Sequence, residues 1–182
     1  MLARIESFIE KVKDPRRKQG VRYPFSAILT MMLLGVASGH SGYRPLHRFM
    51  KANSSFFEEQ FNLQHGVPGF AMLRNLIEAI NKQQVIQAFN EWMNELNTLK
   101  EGDWVSGDGK LLASTITDVH NSNQNFVSVV SLYAHATGLC VYAQDYQQKK
   151  SAENHVLLLM LEQLRGKNLT ITMDALHCQK KC

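Results

Sequence analysis

The apolar residues of this chain change their period near residue 102, and that change limits the fold more than any other feature. Before it they recur every three or four residues. Ile5, Phe8, Ile9 and Val12 mark a first helix. Asp14-Pro15 breaks it, because the residue before a proline avoids the helical region. Pro24 suits the first turn of a second helix, Phe25 to about Ser38, apolar around its whole circumference and so expected at the centre of a bundle. Helices are also expected over Tyr43 to Met50 and Phe56 to Phe61. Another follows the Gly66-Val67-Pro68-Gly69 turn, with Phe70, Leu73, Leu76, Ile77 and Ile80 as its stripe. A last one, about Gln84 to Leu99, carries Val85, Phe89, Trp92, Met93 and Leu96 on one face. Glu101-Gly102-Asp103 is the expected domain boundary, giving a helical region over 1–102 and a mixed region over 103–182.

After the boundary the texture is that of strands. Trp104 to Gly107 is a short one. Phe126 to Tyr133 is rich in β-branched and aromatic residues, and Leu139 to Ala143 returns after the Ala136-Thr137-Gly138 turn. Asp118 to Asn125 is polar and reads as a loop. Ser151 can cap a helix, with Glu153 in its first turn and Val156, Leu157, Met160, Leu161 and Leu164 on its apolar face. Leu169 to Met173 is a fourth strand. The expected order is β-β-β-α-β. A strand–helix–strand crossover gives parallel neighbours, so the fourth strand can lie beside the first.

Composition supports a chain with a buried core: 45% of residues are apolar and 20% charged. The net charge of +4 is unevenly spread. Residues 1–100 hold 13 Lys or Arg against 8 Asp or Glu, whereas residues 101–182 hold 7 against 8. A basic half suits a polyanionic partner. Cys140, Cys178 and Cys182 are odd in number and irregular in spacing, which fits a reducing cytoplasm rather than a disulfide framework. Met1-Leu2-Ala3-Arg4-Ile5-Glu6, acidic early and without a long apolar run, is not expected to be a secretory signal. The most apolar run, Phe25 to Ala37, is shorter than the ~20 residues a bilayer span needs, so no membrane partner is expected.

Two aspartates close strand-like runs: Asp108 after Trp104-Val105-Ser106-Gly107, and Asp174 after Leu169 to Met173. Open α/β sheets place ligands at the carboxyl ends of their strands. Two carboxylates meeting there repel unless a cation joins them, and Mg²⁺ takes oxygen ligands, often only one or two carboxylates plus substrate phosphates. A pair of such ions ~3.5–4 Å apart serves phosphodiester chemistry. Spacing alone leaves the plainer readings open, with Asp108 as a turn former and Asp174 as a helix cap. Arg16, Arg17, Lys18 and Arg22 form the densest basic cluster, either a phosphate-binding segment or a solvated loop. Arg44, His47, Arg48 and Lys51 could extend it. The Gly66–Gly69 turn before a helix invites a helix-turn-helix reading, with Arg74, Asn75, Glu78 and Lys82 exposed; an ordinary bundle helix is the alternative. His177, Cys178 and Cys182 offer at most three zinc ligands where a structural site wants four, so zinc is not expected. No Gly-x-Ser-x-Gly elbow and no phosphate-binding glycine loop is present.

Several motifs stand in order along the chain. They are Asp14-Pro15-Arg16-Arg17, Gly66-Val67-Pro68, Gly107-Asp108-Gly109-Lys110, Val127 to Gly138 and Lys150-Ser151-Ala152-Glu153, then Thr172-Met173-Asp174-Ala175-Leu176-His177-Cys178-Gln179-Lys180. Together they resemble the H-repeat-associated insertion-sequence transposases, of the DDE type linked to Rhs elements. The resemblance covers essentially the whole chain. The last motif is specific, and the Asp-Gly-Lys alone is weak.

The resemblance implies an α+β protein: an all-α amino-terminal region, then an incomplete ribonuclease-H-like domain. It makes Asp108 and Asp174 the first and second metal-binding, catalytic carboxylates, with Mg²⁺ or Mn²⁺ as cofactor. It implies DNA, the transposon ends, as partner, with self-association or a full-length transposase as a second one, in the bacterial cytoplasm at the nucleoid. Arg16, Arg17, Lys18, Arg22, Lys110 and Lys180 are the expected DNA contacts. The third acidic residue of such a triad comes from a helix downstream of the second aspartate, and this sequence stops at Cys182. Glu153 is read as a helix-cap residue rather than a substitute. The expectation is a truncated transposase, silent or nearly so by itself in DNA cleavage and strand transfer. The alternative is a non-enzymatic DNA-binding or transposase-interacting fragment.

Overall fold

Helices fill the first half and strands dominate the second, as the two apolar periods require. The computed structural model describes residues 2–19, 21–96, 99–111, 127–147 and 152–173. The chain divides into two compact units, Met1–Ala88 and Phe89–Cys182.

In the first unit, α1 (Leu2–Lys11), α2 (Phe25–Ala37), α3 (Tyr43–Ala52), α4 (Ser54–Phe61) and α5 (Phe70–Ala79) follow one another. Their core joins Ile28 and Met31 of α2, Leu46 and Met50 of α3, Phe57 of α4, and Leu73 and Leu76 of α5. The approach of α2 to α3 is close. A methyl group added at Gly35 would lie 2.7 Å from Leu46 Cδ2, so only glycine fits without a shift. The second helix is less enclosed than its composition implies. Ala27 to Met31 and Gly35 are buried, but Val36 is exposed, because α1 and α3 cover only part of its circumference.

Helix α6 (Lys82–Leu96) runs across the division between the units. The turn at Glu101-Gly102 then leads into the sheet, with Gly102 at φ +84°, a conformation that suits glycine. The strands are β1 (Trp104–Leu111), β2 (Val127–Ala134), β3 (Cys140–Gln147) and β4 (Thr170–Met173), with α7 (Ala152–Gln163) between the last two. They form one mixed sheet in the order β3-β2-β1-β4. β1 pairs antiparallel with β2 and parallel with β4, as the crossover argument expects. Helix α7 covers one face, where Val105, Val130, Leu132, Val141 and Met160 are buried together. Helices followed by a mixed sheet make the protein α+β.

Two strands are longer than the sequence implies. β1 does not end at Gly107 but runs to Leu111, held by the β2 ladder down to Leu111↔Ser128. Asp108 therefore sits within a strand, not beyond one. β3 likewise runs to Gln147 rather than Ala143. The Asp118–Asn125 loop and the Ser151 cap lie outside the described residues.

Candidate functional site

Asp108 stands where the two ladders of β1 diverge. Pairing with β4 ends at Gly107↔Met173, while pairing with β2 continues through Asp108↔Ser131. Strand alternation puts Trp104, Ser106, Asp108 and Lys110 on one face and Val105 on the other, under α7. Asp108 and Lys110 are both exposed on that open face. Trp104 is 54% exposed, and its ring centroid lies 6.4 Å from that of His135. Asp174, Lys180, His177, Cys178 and Cys182 lie outside the described residues. Among the described residues no three His, Cys, Asp or Glu side chains come together as a metal cluster. Cys140 is no candidate nucleophile: burial pushes its thiol up, and its Sγ donates to the Tyr142 carbonyl at 3.2 Å.

The basic cluster of the first unit is assembled around an ion pair. Asp14 Oδ1 accepts the backbone N–H of Arg16 at 2.9 Å, closing a tight turn over Pro15. The Arg16 guanidinium returns to the same carboxylate, with Nε 2.9 Å from Oδ1 and Nη2 2.8 Å from Oδ2. It also lies over the Phe25 ring, 5.7 Å from the centroid. Arg16 is thus committed within the fold, whereas Arg17, Lys18 and Arg22 are exposed. Seven residues further along, the Tyr23 hydroxyl donates to the His65 carbonyl at 3.2 Å.

The Arg16 guanidinium holds the Asp14 carboxyl below its ordinary value of 3.8, and the sign of the pH dependence follows. The stabilisation is fully present above that ordinary value and is lost as pH falls through the lowered folded value. Both groups are partly exposed, so the pair contributes only about 0.5–1 kcal/mol. Asp14→Asn is expected to be less stable than the parent by that amount at neutral pH. Urea unfolding repeated in acid should show the gap closing, and a gap that persists there would assign Asp14 another role.

Residues of the basic cluster border an open groove of about 1130 Å³. Arg16, Arg17, Arg22 and Tyr23 form one side; Gly69, Met72 and Asn75, at the start and middle of α5, form the other. The structure thus joins the basic cluster to the helix considered for DNA reading. The neighbouring Arg74 is engaged on its own helix, its Nε 2.9 Å from Glu78 Oε1. Asp14 was legible only as a helix breaker; its place two residues before an arginine is the signal for the clamp.

Asn90 of α6 is a buried polar residue that periodicity misses. Its Nδ2 donates to the Ala143 carbonyl at 2.9 Å, and its Oδ1 accepts the Ala143 N–H at 2.8 Å. A polar residue standing in the stripe that includes Ile86 and Met93 is the sequence signal for it. No helix among the described residues is long and apolar enough to cross a membrane.

Residues 6–93 match the family model described as DDE_Tnp_1-associated. Over 179 residues the chain is 24% identical to "Putative protein YbfL" and to "H repeat-associated putative transposase YhhI", both of Escherichia coli K12. Each alignment covers 98% of this chain and 47% of the relative. It is also 24% identical over 179 residues to "H repeat-associated putative transposase YbfD" of the same organism, covering 98% of this chain and 70% of that one. The chain spans about half the length of the first two relatives.

Proposed function

We propose that this chain, which is similar to proteins named "H repeat-associated putative transposase", is a member of that family, and that Asp108 and Asp174 are metal-holding carboxylates of a DDE-type, ribonuclease-H-like site for DNA cleavage and strand transfer. The observation that carries this reading is the end of the parallel ladder. Gly107 and Met173 are paired, and each aspartate is the next residue in the chain after one of them. Neighbouring strands run about 4.8 Å apart, a spacing from which two carboxylates can reach one ion. The donor set is all oxygen and suits Mg²⁺ or Mn²⁺. Asp108 is exposed on the face away from α7, where a phosphodiester has access. A divalent ion held there would polarise the phosphate and lower the pKa of an attacking hydroxyl. Lys110, two residues along on the same face, would meet the phosphate charge. In this reading residues 1–102 are a DNA-engaging helical domain and 103–182 carry the carboxylates. The substrate is transposon DNA in the bacterial cytoplasm.

Metal binding is the direct readout of such a pair. Titrating the chain with Mn²⁺ and following the free-ion electron paramagnetic resonance signal is expected to reveal a site. Asp108→Asn and Asp174→Asn should each abolish it while leaving the far-ultraviolet circular dichroism unchanged. Equal Mn²⁺ uptake by parent and both variants would sink the assignment.

A second reading, a non-catalytic DNA-binding or transposase-interacting protein, is favoured by charge. Residues 1–88 hold 12 Lys or Arg against 6 Asp or Glu, a net of +6. The two readings share DNA as the partner and differ in whether the aspartates hold a metal.

A further inference from the structure

We propose that the groove between residues 15–19 and 21–23 on one side and α5 on the other seats the phosphate backbone of duplex DNA, with Arg17 and Arg22 as contacts and Arg16 as their positioning residue. The inference rests on the DNA reading above and assigns it a place and a division of labour.

The charge argument is local. Among the described residues, three guanidinium groups border the groove and no acidic side chain does. One of the three is already answered, because Arg16 donates twice from Nε and once from Nη2 to Asp14. A ligand anion would have to displace that carboxylate to use Arg16 in the same way. Arg17 and Arg22 are exposed and border the same space. Charge in excess of what the fold neutralises is charge available to a polyanion.

The segment that carries them is held at both ends. Asp14 and Phe25 fix Arg16 before it, and the hydroxyl of Tyr23 is tied to the His65 carbonyl after it. Arg17 and Arg22 each adjoin a residue held in this way, and side chains next to fixed residues lose less freedom on binding than those of a free loop. This is the sense in which Arg16 acts through the fold.

Size and lining choose the ligand. The groove is open and, at about 1130 Å³, admits a ligand as large as a nucleic-acid backbone. Single-stranded nucleic acid is held largely by stacking of bases on aromatic rings. Among the described residues of this lining Tyr23 is the one aromatic ring, and it is half-buried with its hydroxyl bonded. A backbone-tracking duplex fits the lining better. On the α5 side Asn75 offers an amide to the ligand, whereas Arg74 is paired with Glu78.

The test is fluorescence anisotropy of the full 182-residue chain with a labelled duplex, over a series of salt concentrations and in EDTA. EDTA separates this inference from the aspartate reading, since Mn²⁺ uptake can fail while duplex binding stands, and the reverse. Each phosphate contact adds about 0.9 to the slope of log affinity against log salt. The Arg17→Ala, Arg22→Ala double variant is expected to lose about 2 from that slope and at least about tenfold in affinity. Arg16→Ala should weaken binding with the slope unchanged, as befits a residue that positions others. Asp14→Asn should not strengthen binding; a gain in affinity with a steeper slope would make Arg16 a contact and overturn its assigned role. Circular dichroism confirms that each variant is folded. No duplex binding at low salt would overturn the proposal. So would equal affinity for single strands or heparin, or a slope carried instead by Arg44 and Arg48 of α3.

Discussion

Phe57→Ala is expected to destabilise the helical unit by about 3–5 kcal/mol, the cost of truncating a fully enclosed aromatic side chain. Phe57 is 1% exposed and central to the cluster that joins α2, α3, α4 and α5. Its ring meets Phe49 edge-on at 5.8 Å, Phe56 at 5.4 Å, and stacks with Phe61 at 6.2 Å. Alanine removes all three ring contacts and leaves a cavity that close-packed neighbours fill only in part. For a unit of this size the total stability is about 4–13 kcal/mol, so the loss takes a large share of it. The unit's melting temperature should fall by about 15 °C or more. Helical circular dichroism follows the change. Tryptophan fluorescence serves as an internal comparison, because Trp92 and Trp104 both lie in the second unit. A loss below about 1 kcal/mol would mean that the cavity collapses or that the ring is not the keystone assigned here. Leu73 and Leu76 of α5 belong to the same cluster, so the variant also loosens one wall of the basic groove.

What the sequence made legible was local. Helix spacing is set by residues three and four apart, and each expected helix of the first half is present within a few residues. The crossover rule likewise reached the parallel β1–β4 pairing, which is the part of the candidate site that depends on topology. Strand ends were not legible, because they are set across the sheet. Gly107-Asp108-Gly109 has poor strand propensity, yet the ladder to β2 holds it extended. Gln144, Asp145 and Gln147 lie past the expected strand end at Ala143 and are strand for the same reason. Individual basic residues were equally opaque. Arg16 and Arg17 look alike in the sequence, and only the turn over Pro15 turns one back onto Asp14. Arg74 and Glu78 could have been paired from their spacing of four, a standard helix-surface contact.

Asn90→Leu is expected to cost the sheet about 2–4 kcal/mol, although leucine keeps the branched shape and the number of heavy atoms of asparagine. β3 is a terminal strand in the sheet order, and Asn90 supplies Ala143 with both an acceptor and a donor there. An edge strand otherwise presents unpaired N–H and C=O groups, a template for pairing with other chains. Leucine leaves both Ala143 groups without partners beside a newly apolar neighbour, and that desolvation outweighs the gain in apolar burial. Amide hydrogen exchange at Ala143 should change from protected to fast. Light scattering should rise with protein concentration as the opened edge associates. Asn90→Asp provides the contrast: its carboxylate still accepts the Ala143 N–H, so that amide stays protected while the carbonyl side is lost. Unaltered exchange at Ala143 in the leucine variant would show that the edge is covered by something other than Asn90. The consequence reaches the aspartates, because β1, which carries Asp108, belongs to the sheet whose edge Asn90 closes. Asn90 also falls within residues 6–93, the segment that matches the family model. A fragment begun at residue 103 would lack Asn90, and its β3 edge would be open in the same way as in the leucine variant.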